Sequence, residues 1–121
     1  MASILIIDDG ALLTSWLSEI LRREGHIIET AKNEKDALEL HNEHLHDLIV
    51  ADLKSQEGLE MVGELVRRTP HAQVLAIIGG DIMESNCVLN KANTSGNVRV
   101  LRKPFSIDSF LKTVMSQLPE A

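Results

Sequence analysis

Asp47-Leu-Ile-Val-Ala-Asp52 is an unbroken apolar run that stops abruptly at a carboxylate. A short run of this kind, without polar alternation, suits a strand buried on both faces of a parallel sheet. Two other stretches share its character. Ser3-Ile-Leu-Ile-Ile-Asp8-Asp9 ends in paired acids, and Val98-Arg-Val-Leu-Arg-Lys103-Pro104-Phe105 ends in a lysine and a helix-blocking proline. Three acids and one lysine therefore stand just past the ends of apolar strands.

Between these runs the apolar period switches from strand to helix. Over residues 11–24, Leu12, Leu13, Trp16, Leu17 and Ile20 fall within roughly 140° on a wheel stepping about 100° per residue, leaving Ser15, Ser18, Glu19 and Arg22 outward. Trp16 reads as core on this wheel. Gly25 suits the left-handed position that stops a helix. His26-Ile-Ile-Glu-Thr30 reads as a second strand nearer an edge.

Asn33 with Asp36 resembles a capping box, opening a helix to about Asn42 with Ala37, Leu38 and His41 inward. A loop from Leu53 to Glu57 follows the third strand. Beyond Gly58, a helix carries Leu59, Val62, Leu65 and Val66 on one face and ends at Thr69-Pro70. Val74-Leu-Ala-Ile-Ile78 is a fourth strand leaving through Gly79-Gly80. A less regular helix spans about 82–92, and a polar loop, Asn93-Thr-Ser-Gly-Asn97, leads to a fifth strand at Val98 to Leu101. Ser106 can cap a last helix that buries Ile107, Phe110, Leu111, Val114 and Leu118.

Five strands alternating with five helices imply an α/β, doubly wound five-stranded parallel sheet with right-handed crossovers. Ligands of such sheets sit beyond the strand carboxyl ends, where the strand order reverses. Asp8, Asp9, Asp52 and Lys103 all occupy such ends.

The totals are consistent with this. At 121 residues the chain is expected to form one domain, 1–121, and 44% hydrophobic with 25% charged residues is a globular composition. A net charge of -6 argues against direct nucleic-acid binding by this domain, since phosphate backbones are held by basic faces. With Cys87 the sole cysteine, an internal disulfide and a thiolate cluster are excluded, and a reducing compartment fits. The first apolar run is too short for a signal segment or a membrane span, so a cytoplasmic location and no membrane partner are expected.

Three carboxylates drawn within about 5 Å repel by roughly 3 kcal/mol per pair at an effective dielectric near 20, so they call for a cation. An all-oxygen set with open positions suits magnesium. Metal and lysine together would welcome a phosphoryl group, and one carboxylate could be the nucleophile that forms an acyl phosphate.

Taken in order and spacing, Ile-Leu-Ile-Ile-Asp8-Asp9, Asp-Leu-Ile-Val-Ala-Asp52 and Lys103-Pro104-Phe105 resemble the receiver domain of two-component response regulators over nearly the whole length. The resemblance implies a flavodoxin-like sheet of order 2-1-3-4-5. It implies that Asp52 is the phosphoacceptor, charged by a sensor histidine kinase or histidine phosphotransfer protein. Mg2+ would be held by Asp8, Asp9, Asp52 and the main-chain carbonyl of Lys54, and Lys103 would bind a phosphoryl oxygen. Pro104 is a cis-proline candidate. The fourth helix, fifth strand and fifth helix would form the output face, meeting an output domain, an effector protein or a second copy in a homodimer.

The chain departs from the family pattern at two switch positions. Ile78 stands where a serine or threonine hydroxyl is usual, and Val100 where an aromatic is usual. The segment after Asp52 is shorter than usual and lacks the family's Met-Pro. These departures frame an alternative, a pseudo-receiver that binds proteins without phosphorylation. A flavin-binding domain on the same fold is disfavoured because the acids would repel a flavin phosphate. His41, His44 and His46 match no common zinc spacing and are expected to be surface histidines.

Overall fold

The computed structural model describes residues 2–7, 12–53, 56–69, 71–79 and 97–118. Its central strand is β3 (Leu48–Leu53), whose apolar run has no polar face to offer water. The chain orders β1 (Ser3–Ile7), α1 (Leu12–Arg23), β2 (Ile27–Ala31), α2 (Glu34–Glu43), β3, α3 (Gln56–Arg68), β4 (Gln73–Ile78), β5 (Val98–Arg102) and α4 (Ile107–Gln117). All strand pairs are parallel, in the order β2-β1-β3-β4-β5. The expected doubly wound sheet is present, with four helices among the described residues. The helix expected over 82–92 lies outside them.

Two apolar clusters cover the two faces of the sheet. One unites Leu5, Ile49, Ala51, Leu53, Ala76 and Ile78 with Ala37 of α2 and Val62, Leu65 and Val66 of α3. The other unites Ile4, Ile6, Leu48, Val50, Leu75 and Ile77 with Leu17 and Leu21 of α1 and Phe110 and Val114 of α4. Successive strand residues feed opposite clusters because side chains alternate across a sheet.

The amino-terminal rim is tied together by Asp47. Its carboxylate accepts from the Ser3 amide at 3.0 Å, and its own amide donates to the Ser3 carbonyl at 2.8 Å. Its carbonyl accepts from the Gln73 amide at 3.2 Å, so one residue ties β1 and β4 to the start of β3.

Most helix ends follow local chemistry. At the end of α1, His26 N–H donates to Leu21 O and Gly25 N–H to Arg22 O, the paired bonds of a Schellman motif with Gly25 at φ 92°. Asn33 caps α2 by accepting from the Asp36 amide at 2.9 Å, and Ser106 caps α4 by accepting from the Ser109 amide at 3.0 Å. The linker after β3 is shorter than expected, because the strand includes Leu53 and α3 starts at Gln56.

Three expectations about inward faces are corrected. The buried residues of α1 are Thr14, Leu17, Ser18 and Leu21, whereas Trp16 is 47% and Leu12 89% exposed. The inward face is rotated about a third of a turn from the apolar stripe. Ser18 tolerates this because its hydroxyl donates to Thr14 O at 2.9 Å, and small side chains let the helix lie close to the sheet. In α4, Ile107 is exposed, while Gln117 is buried with its amide donating to Val74 O at 2.8 Å. His41 is buried, in line with its place on the inward face of α2 and against the surface reading of the three histidines; His46 is buried as well, and only His44 is exposed.

Candidate functional site

Asp52 is the fifth residue of β3, beyond the buried run Leu48 to Ala51. β1 ends beside it, since Ile7 pairs with Ala51, and β4 flanks it through the pair Asp52–Ile77. Asp8 and Asp9 follow Ile7 directly in the sequence and, with Lys54, lie outside the described residues.

Lys103 is brought in from the far side. It follows β5, and its backbone N–H donates to the carbonyl of Ile78 at 2.8 Å, continuing the β4–β5 ladder by one bond. Its Nζ reaches Oδ1 of Asp52 at 2.9 Å. The Asp52 side chain is 2% exposed and that of Lys103 35%, so the carboxylate is withdrawn from water while the ammonium keeps some hydration. A pair this shielded is screened less by salt than a surface pair, and removing either partner strands the other charge. The Lys103-Pro104 peptide bond is cis.

Ile78 and Val100, the two switch positions named from the sequence, both face apolar surroundings. Ile78 is wholly buried in the cluster beneath α2 and α3, and Val100 packs against the same cluster. Neither side chain can hydrogen-bond to the carboxyl end of β3.

A buried carboxylate with an ammonium against one oxygen can serve as a nucleophile or a cation ligand beside a counter-charge. The oxygen donors named from the sequence, Asp8, Asp9, Asp52 and the carbonyl of Lys54, fit magnesium, a hard cation that takes carboxylates and carbonyls and keeps several waters.

A second polar cluster, which the sequence reading missed, lies toward the opposite end of β3. His41 and His46 stack with ring centroids 5.4 Å apart, and Glu29 of β2 meets both His44 and His46. Burial and, secondarily, the neighbouring His46 ring hold the His41 pKa below the ordinary imidazole value. Spacing could not have disclosed this cluster, because Glu29 belongs to a different strand.

Residues 4–115 match the family model described as response regulator receiver domain. The chain is 31% identical over 116 residues to the transcriptional regulatory protein PdtaR of Mycobacterium tuberculosis, covering 92% of this chain and 54% of that protein. It therefore spans about half the length of that curated relative. Among solved structures, the beryllofluoride-activated NtrC4 receiver domain dimer is 30% identical with a TM-score of 0.74, covering 98% of this chain and 97% of that one. The response regulator protein TrrA of Thermotoga maritima, solved in complex with Mg2+ and BeF, is 26% identical with a TM-score of 0.73, covering 98% and 100%.

Proposed function

The chain belongs to the response regulator receiver domain family, and on that premise we propose that it accepts a phosphoryl group on Asp52 from a histidine kinase or phosphotransfer protein. Receiver domains are signalling modules, and this one would act by changing its own surface. The observation that carries the reading is the 2.9 Å contact between Lys103 Nζ and the buried Asp52 carboxylate at the carboxyl edge of the sheet.

In the transfer, an Asp52 oxygen attacks the phosphorus of the donor's phosphohistidine. An O–P bond forms and the P–N bond breaks. The electron pair stays with the ring nitrogen, which takes a proton from water. Lys103 then moves its ammonium from the carboxylate to an oxygen of the new acyl phosphate, so that charge is balanced before and after. Asp8, Asp9, Asp52 and the Lys54 carbonyl would hold Mg2+, which supplies charge neutralisation for the phosphoryl oxygens. TrrA, solved with Mg2+ and BeF, supports the same chemistry for a relative.

The readout would differ from the family's usual hydroxyl–aromatic relay, because Ile78 and Val100 are apolar and held in the core. Its substitute would be the backbone bond from Lys103 to the Ile78 carbonyl, which ties the phosphoryl-binding residue to the end of β4. A shift of Lys103 toward phosphate would then pull on β4 and β5 together. The signalling face would comprise residues 82–92, β5 and α4, meeting an output domain, an effector or a second copy. The NtrC4 receiver was solved as a dimer, which supports the last of these.

The test is incubation with magnesium and a small phosphodonor such as acetyl phosphate, followed by intact-mass measurement. Wild type gains one phosphoryl group and Asp52→Asn gains none. A wild type that stays unlabelled under conditions that charge other receivers overturns the proposal.

A further inference from the structure

Away from Asp52, beside the amino-terminal half of β3, three side chains from three segments aim at one point. Glu29 comes from the edge strand β2, His44 from the end of α2 and His46 from the turn before β3. Oε1 of Glu29 lies 2.9 Å from His44 Nε2 and 2.8 Å from His46 Nε2. The potential ligand atoms of the three residues all lie within 4.8 Å of one another.

The hydrogen bonds on the far sides of the rings decide what those nitrogens carry. His44 Nδ1 faces the Leu40 carbonyl at 3.2 Å. A carbonyl only accepts, so this nitrogen holds the proton, and Nε2 of the neutral ring presents a lone pair to Glu29. His41 Nδ1 accepts from the His46 backbone N–H at 3.2 Å, so it carries no proton. His46 Nδ1 faces that same atom at 3.2 Å, which the tautomer protonated at Nδ1 matches. In that tautomer Nε2 of His46 also presents a lone pair to the same carboxylate oxygen.

Two imidazole lone pairs against one carboxylate oxygen repel unless a cation joins them. One divalent ion satisfies all three groups at once. The far-side bonds are those that fix a metal-binding histidine's tautomer and orientation.

We infer that Glu29, His44 and His46 form a binding site for zinc or another late first-row divalent ion, separate from the acidic pocket around Asp52. Two neutral imidazoles and a carboxylate are a common zinc set, with a fourth position open to water. Metal–ligand bonds of about 2.0–2.1 Å in a tetrahedron place ligand atoms about 3.3 Å apart, so Oε1 of Glu29 draws back from each ring nitrogen by a few tenths of an ångström on loading. The exposed side chains allow it: His44 is 58% and Glu29 28% exposed, while His46 is fully buried and serves as the fixed point. His44 also gives the ion a path from solvent. Bound metal would pin the end of α2 to the edge strand.

The experiment is calorimetric titration of zinc chloride into the whole chain at neutral pH with excess magnesium occupying the acidic pocket, paired with long-range nitrogen–proton spectra of the histidines. One equivalent is expected to bind, with the Nε2 resonances of His44 and His46 shifting on loading. Glu29→Gln and His44→Ala, both at solvent-reached positions, each weaken binding at least tenfold. Zinc raises the melting temperature of wild type and not of Glu29→Gln. Absence of stoichiometric binding overturns the inference, as does unchanged affinity in both variants. So does zinc affinity that disappears in Asp52→Asn while persisting in Glu29→Gln.

Discussion

Nζ of Lys103 and Oδ1 of Asp52 stand 2.9 Å apart although they belong to the ends of strands that do not touch. β4 lies between β3 and β5, and Lys103 crosses its end while bonded through its own backbone to Ile78. The lysine is thus held at its base by β4 while its tip meets the Asp52 carboxylate.

Replacing that tip removes the counter-charge without altering the backbone bond. Lys103→Met is expected to slow phosphoryl acceptance by roughly 10²-fold, the usual effect of losing one charged partner to a transferring group. Initial rates of mass gain from acetyl phosphate at saturating magnesium measure it.

Ile78→Thr introduces a hydroxyl at a position that is wholly buried among apolar side chains. Lost apolar volume and a buried hydroxyl together cost about 1–3 kcal/mol. Urea denaturation should show a lower midpoint at unchanged slope.

The rotated face of α1 separates two neighbouring positions. Ser18, 3% exposed, has no room for a larger side chain, so Ser18→Leu is expected to destabilise by about 1–3 kcal/mol. Trp16→Leu, at a half-exposed site, should fall within about 0.5 kcal/mol of wild type. Denaturation of the two variants side by side tests the assignment.

His41 makes stability depend on pH. Its folded-state pKa lies below the ordinary value, chiefly through burial and then through His46, so the folded chain resists a proton that the unfolded chain accepts. Stability is full above about 6.5, where the unfolded imidazole is neutral, and falls as pH drops from there through the folded-state value. Melting temperatures measured with a chelator across that window should fall more steeply for wild type than for His41→Gln.

Much of the fold was legible in the sequence because burial on both faces leaves a strand no polar positions. Leu48 to Ala51, Ile4 to Ile7 and Val74 to Ile78 therefore declare themselves as strands from residue type alone. The caps at Asn33 and Ser106 and the stop at Gly25 were legible for a related reason, since they depend on backbone partners within a few residues. The inward face of α1 was not. A wheel ranks side chains by polarity, whereas the sheet selected Thr14 and Ser18 for their size, and the Ser18 hydroxyl is satisfied within the helix.

The run Asp47 to Asp52 shows both sides of this division. The sequence alone determined a central buried strand with an acid at each end, because only paired neighbours on both edges can satisfy such a backbone. Tertiary structure decided that the two acids differ. Asp47 is consumed by the amide of Ser3, while Asp52 meets an ammonium carried over from β5. It also decided that His44 and His46 converge on Glu29. Contacts of this kind depend on which strands lie side by side and where each helix ends in space, and residue spacing along one segment carries no record of either.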